Sequence, residues 1–116
     1  RVRHPFNSNS LSQVGAIAAL DDTTHIERTK RVNNEGLNYV TKELEKLDIP
    51  YAPSYTNFVL IDLEGDPMPT YNELLKEGVI VRPVMGYGLK THLRVTIGTE
   101  EENKKFINGI KKVLGK

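Results

Sequence analysis

The sequence predicts an α/β fold, a two-layer small domain of about three strands packed against three to four helices. Three observations carry that reading. Asn57–Leu63, NFVLIDL, is apolar on both of its alternating faces over most of its length, as a central strand buried on two sides must be. His92–Ile97 alternates, with Leu93, Val95 and Ile97 on one face and His92, Arg94 and Thr96 on the other. Two further segments, roughly His25–Leu47 and the stretch from Thr99 to about Leu114, repeat their apolar residues at helical steps instead.

In chain order, Arg1–Ser10 is polar, and Pro5 biases His4 away from helical dihedrals, so it reads as an extended lead-in. Asn9 or Ser10 can cap the helix that follows. That helix, Leu11–Leu20, carries Leu11, Val14, Ile17, Ala18 and Leu20 as an apolar stripe beside small Gly15, Ala16 and Ala19. Taken alone the segment reads as a plain packed helix; its small-residue face also suits close docking against something beyond this chain. Asp21–Thr24 breaks the pattern and offers more caps. In His25–Leu47 the apolar face is Leu37, Val40, Leu44 and Leu47, and Gly36 weakens the helix by about 1 kcal/mol relative to alanine.

Asp48, Pro50 and Pro53 end that helix, and Glu64–Pro69 turns the chain after the central strand. Thr70 is placed to cap a short helix, Tyr71–Glu77, with Glu73 completing a capping box and Gly78 closing it left-handed. Val79–Arg82 is a β-branched strand stopped by Pro83, which cannot donate to a ladder. The glycines of MGYGLKT let the backbone turn into the His92 strand. These two strands should pair antiparallel, with the Asn57 strand as neighbour. Thr99 and Glu102 form a second capping box, and the lysines late in the last helix complement its dipole.

A chain of 116 residues supports one small domain. Sixteen basic residues against 15 acidic ones, with no like-charge run longer than Glu100–Glu102, argue against a nucleic-acid partner. There is no cysteine, which excludes a disulfide scaffold, a thiolate metal site and a cysteine nucleophile. His4, His25 and His92 lack metal-ligand spacing, so no metal is expected. No run approaches the roughly 20 apolar residues of a membrane span, and a cytoplasmic setting is the expectation. The first residue is not Met, and the chain reads as cut from a longer protein.

The chemistry-bearing residues are two arginines. The His92 strand holds Arg94 on the face opposite its apolar residues, and Arg82 closes the preceding strand. If the strands pair, the two guanidinium groups project side by side. That arrangement grips carboxylate or phosphate, for which the planar fork of arginine is suited. The MGYG glycines do not make a phosphate loop, because a strand and not a helix N-terminus follows them. Three scattered histidines support no catalytic triad, and Asp21–Asp22 and Glu64–Asp66 read as caps and solvated turns.

Four motifs are then met in order: R-x-P-F-N-x-N at Arg3–Asn9, S-x-x-N-F-V-L at Ser54–Leu60, G-V-I-V-R-P at Gly78–Pro83, and L-R-V-T-I-G-T-x-x-E-N at Leu93–Asn103. A G-[FY]-G-L run at Gly86–Leu89 joins them. Together they resemble the C-terminal small domain of class I and II, fold-type I aminotransferases, and within these the histidinol-phosphate aminotransferases. The resemblance spans essentially the whole chain. It implies that Arg94 binds the substrate α-carboxylate and that Arg82 helps hold a substrate phosphate. Asn7 and Asn57 fall in matching motifs and are implied as cleft-lining or backbone-fixing residues. The implied cofactor is pyridoxal 5′-phosphate, held by a large domain this sequence lacks: the S-K-x-x-x-L-x-G-x-R segment with the Schiff-base lysine is absent. The implied partners are small-molecule amino-acid and phosphate substrates, the protein's own large domain and a second copy in a homodimer. The small domain of threonine-phosphate decarboxylase or of another fold-type I aminotransferase, and a stand-alone anion-binding domain, are the alternative expectations.

Overall fold

The computed structural model describes residues 8–116, which fall into two compact units divided between Arg31 and Val32. In the first unit, helix α1 (Ser10–Asp21) is capped by Asn9, whose Oδ1 accepts from Ser12 N at 2.8 Å. Its stripe is wholly uncovered: Leu11, Val14, Ile17 and Leu20 are each more than 60% exposed. Asp22 Oδ1 accepts from His25 N at 2.9 Å and caps helix α2 (Thr23–Lys46), which runs on into the second unit.

The second unit is the expected two-layer domain, with four strands where three were expected. Strands β1 (Tyr51–Ala52), β2 (Phe58–Asp62), β3 (Arg82–Pro83) and β4 (His92–Thr96) form an antiparallel sheet of order β1-β2-β4-β3. The added β1 is two residues long, too short to leave a periodic signal. Helix α3 (Met68–Lys76) and helix α4 (Glu100–Leu114) complete the helical layer with α2. Val59, Ile61, Leu93 and Val95 point from the sheet into one core with Val40 and Leu44 of α2, Leu74 of α3, and Phe106, Ile107 and Ile110 of α4. These three helices cover one sheet face. The other face carries Phe58, Leu60, Asp62, His92 and Arg94, all half-buried.

Two local expectations are corrected. The strand expected over Val79–Arg82 pairs only at Arg82 and Pro83. Val79 and Val81 are buried without joining the ladder. Pro83 is tolerated inside β3 because β3 is an edge strand, paired on one side only. Helix α3 begins at Met68, not after Thr70, and has no capping box. Asp66 Oδ1 accepts from Met68 N at 3.0 Å instead, and Pro69 fits the first turn, where no intrahelical donor is needed. The capping box of Thr99 and Glu102 and the left-handed Gly78 are both present.

Gly36 has a packing role that its place in the middle of a helix conceals. A β-carbon there would stand 2.6 Å from Asn103 Nδ2 and 2.7 Å from Ile97 Cγ2. Asn103 cannot yield, because it is buried and doubly bonded to one backbone position: its Oδ1 accepts from Gly98 N at 3.0 Å and its Nδ2 donates to Gly98 O at 3.1 Å. Alanine would gain about 1 kcal/mol of helix propensity, but overpacking costs about 1–3 kcal/mol. Gly36→Ala is therefore expected to lower stability by about 1 kcal/mol, read from the midpoint of urea unfolding. A higher midpoint would show that α2 can retreat from Asn103.

Candidate anion-binding site

Register decides where the two arginines stand. Antiparallel pairing sets Arg82 of β3 directly opposite Arg94 of β4, and Arg94 opposite Leu60 of β2. Residues opposite one another share a sheet face, with β-carbons about 5 Å apart. Both guanidinium groups therefore rise from the open face, away from the helices. Arg94 sits on the middle of three successive strands and is half-buried; Arg82 sits on the edge and is exposed.

Two like charges in this position destabilise the sheet unless something lies between them. Among the described residues no carboxylate forms an ion pair with either arginine. Arg94 Nε is buried and has no hydrogen-bond partner. Its guanidinium carbon lies 5.2 Å from the centre of the Phe58 ring. An oxyanion spanning the pair would turn the repulsion into attraction.

One pleat along the same face, Asp62 of β2 faces His92 of β4. Their Oδ2 and Nε2 atoms are 3.7 Å apart, and His92 Nδ1 is 3.1 Å from Thr91 Oγ1. The Thr91 hydroxyl, then the Glu64 N–H, hold the Asp62 carboxyl below its ordinary pKa. Asp62 is thus engaged by its own neighbours and does not neutralise the arginines.

Three grooves of this unit lie elsewhere. One of about 350 Å³ is lined by Val79, Val81, Val95, Lys105 and Phe106, and neither arginine borders it. The candidate site is an open sheet face, not a closed pocket of this chain. Asn57 is not brought to the arginines. It is exposed, three residues from Leu60 and so about 10 Å along β2, and its main-chain carbonyl accepts from Ile97 N at 2.8 Å. Asn7 lies outside the described residues. Sequence reasoning missed Phe58 as a neighbour of Arg94. The alternation of Phe58, Leu60 and Asp62 put it on one face, but only the cross-strand register pairs that face with Arg94.

The second unit is thus a helix-backed antiparallel sheet with two opposed arginines on its open face, neither of them ion-paired among the described residues. The sequence model for aminotransferase class I and II matches residues 1–110, and the chain belongs to that family. It is 45% identical over 114 residues to the histidinol-phosphate aminotransferase of Caldicellulosiruptor saccharolyticus, covering 98% of this chain and 32% of that protein. The solved histidinol-phosphate aminotransferase of Clostridium acetobutylicum superposes with a TM-score of 0.86 at 30% identity, covering 97% of this chain and 35% of the other. The Sinorhizobium meliloti histidinol-phosphate aminotransferase, solved in complex with pyridoxal-5′-phosphate, superposes at 0.83 over 98% of this chain and 32% of the other; at 20% identity that likeness is one of fold. The chain spans about a third of the length of these relatives.

Proposed function

We propose that residues 1–116 are the C-terminal, substrate-gripping domain of a pyridoxal 5′-phosphate-dependent histidinol-phosphate aminotransferase. The reaction is L-histidinol phosphate plus 2-oxoglutarate to imidazole-acetol phosphate plus L-glutamate. The observation that carries the reading is the Arg82–Arg94 pair on an uncovered sheet face; the 45% identity to an enzyme of that name supports it.

No lysine stands among the strand residues of the arginine face, so this chain's sheet offers no amine to the cofactor's aldehyde. The cofactor belongs, in this proposal, to the rest of the enzyme. When bound, pyridoxal phosphate supplies the carbonyl and the electron sink for amino-group transfer. This domain binds and orients. Arg94 takes the α-carboxylate of glutamate through both arms of its fork, which fixes the substrate Cα and the direction of its C–H bond. Histidinol phosphate carries a phosphate ester and no carboxylate. Its dianion is held by Arg94 together with Arg82, two positive charges for two negative ones. The uncovered stripe of α1 supports docking onto the rest of the enzyme, which acts in the cytoplasm as a homodimer in this reading.

The division of labour is testable in the enzyme that carries this chain. Arg82→Ala removes one charge-assisted contact of about 1.5–3 kcal/mol, so KM for histidinol phosphate should rise about tenfold to a hundredfold. KM for glutamate should stay within about twofold, since its α-carboxylate is assigned to Arg94 alone. Equal losses for both substrates in steady-state kinetics would reject the assignment of Arg82 to phosphate.

A further inference from the structure

We infer that Phe58 is a positioning residue for Arg94, holding the guanidinium extended over the sheet in the conformation that receives an anion. The inference rests on the anion reading above and adds a residue to it. Phe58 opposes Thr96, and Arg94 opposes Leu60, so the two side chains are diagonal neighbours on one face, within reach of a ring and a long side chain. The guanidinium carbon stands over the ring, 5.2 Å from its centre.

Nothing else among the described residues fixes this arginine. It has no carboxylate partner, and its Nε is buried without a hydrogen bond. On its β3 side stands Arg82, which repels it; on its β2 side stands the negative face of an aromatic ring, which attracts it. The two influences act in the same direction and bias the guanidinium toward Phe58 before any ligand arrives. An arginine already ordered loses less freedom on binding, so the ring raises anion affinity without touching the anion.

The test is a sulfate titration of the intact enzyme that carries this chain, followed at the Arg94 Nε–H resonance. Sulfate serves as probe because it stays a dianion across the working pH range. In the unmodified enzyme the Nε–H proton should be displaced by the ring current of Phe58 and should shift further, saturably, as sulfate binds. Phe58→Leu should remove the ring-current displacement and raise the sulfate Kd about threefold to tenfold, the range expected for losing one cation–π contact. Phe58→Trp should keep both the displacement and the affinity within about twofold.

Leucine is apolar and the site half-buried, so the sheet should survive; Phe58→Ile repeats the arm with a strand-favouring residue if it does not. An unchanged Kd in Phe58→Leu, or equal losses in the leucine and tryptophan variants, would overturn the positioning role while leaving the arginine site intact. No sulfate response at Arg94 in the unmodified enzyme would overturn the anion reading and the inference with it.

Discussion

Arg94→Ala in the intact enzyme should lower kcat/KM for glutamate and for histidinol phosphate alike, by about a hundredfold or more. The size follows from the bond type. A forked guanidinium–carboxylate contact comprises two charge-assisted hydrogen bonds, each of about 1.5–3 kcal/mol, and about 1.4 kcal/mol is a factor of ten. In the proposed reading both substrates suffer, because Arg94 sits centrally, on the strand between β2 and β3, where the carboxylate and the phosphate would dock in turn. Arg94→Lys should recover only part of the loss, since an ammonium keeps the charge and loses the planar fork. Steady-state kinetics on both substrates decides the matter. Alanine and wild-type enzymes with the same kcat/KM would remove Arg94 from substrate binding.

The second large effect concerns stability. Asn103 is the one buried polar side chain among the described residues. Its amide closes a two-bond lock on Gly98, at the joint between β4 and the capped start of α4. Asn103→Ala leaves the Gly98 N–H and C=O without these partners, and each unsatisfied buried group costs about 1–3 kcal/mol. The expected loss is about 2–4 kcal/mol, or a fall in Tm of roughly 10–20 °C for a domain of this size. Asn103→Asp keeps the acceptor for Gly98 N but sets a buried carboxylate oxygen against Gly98 O, so it should be no more stable than the alanine variant near neutral pH. Thermal unfolding of the three proteins checks the order, and an alanine variant as stable as wild type would mean that water replaces the lock without loss.

Long-period patterns were legible from sequence. The apolar faces of α2 and α4, the alternation of β4 and the capping box of Thr99 each follow from repeats of several residues, and each stands in the structure within a few residues of its expected bounds. Short features were not. Strand β1 has two residues and no period to detect. The start of α3 turned on whether Thr70 or Asp66 provided the cap, and both are competent side chains within one turn of each other. Val79–Val81 has strand composition, yet burial and not pairing is what its valines satisfy.

The candidate site divides in the same way. Alternation alone placed Arg94 opposite the apolar face of β4. That Arg82 stands directly across from it, and that Phe58 lies beneath it, depends on register, and register is settled by turn geometry and core packing together. Gly36 and Asn103 were unreadable singly because each is explained by the other, 67 residues apart in the chain and in contact across the fold.

A double-mutant cycle on Arg82 and Arg94, scored by the affinity of the intact enzyme for histidinol phosphate, tests most directly whether the two form one site. If both grip the same phosphate, either single alanine variant loses most of the binding and the double variant loses little more, with a coupling of about 1 kcal/mol or larger. Losses that simply add would mean that the two arginines serve separate ends, contradicting the shared phosphate grip.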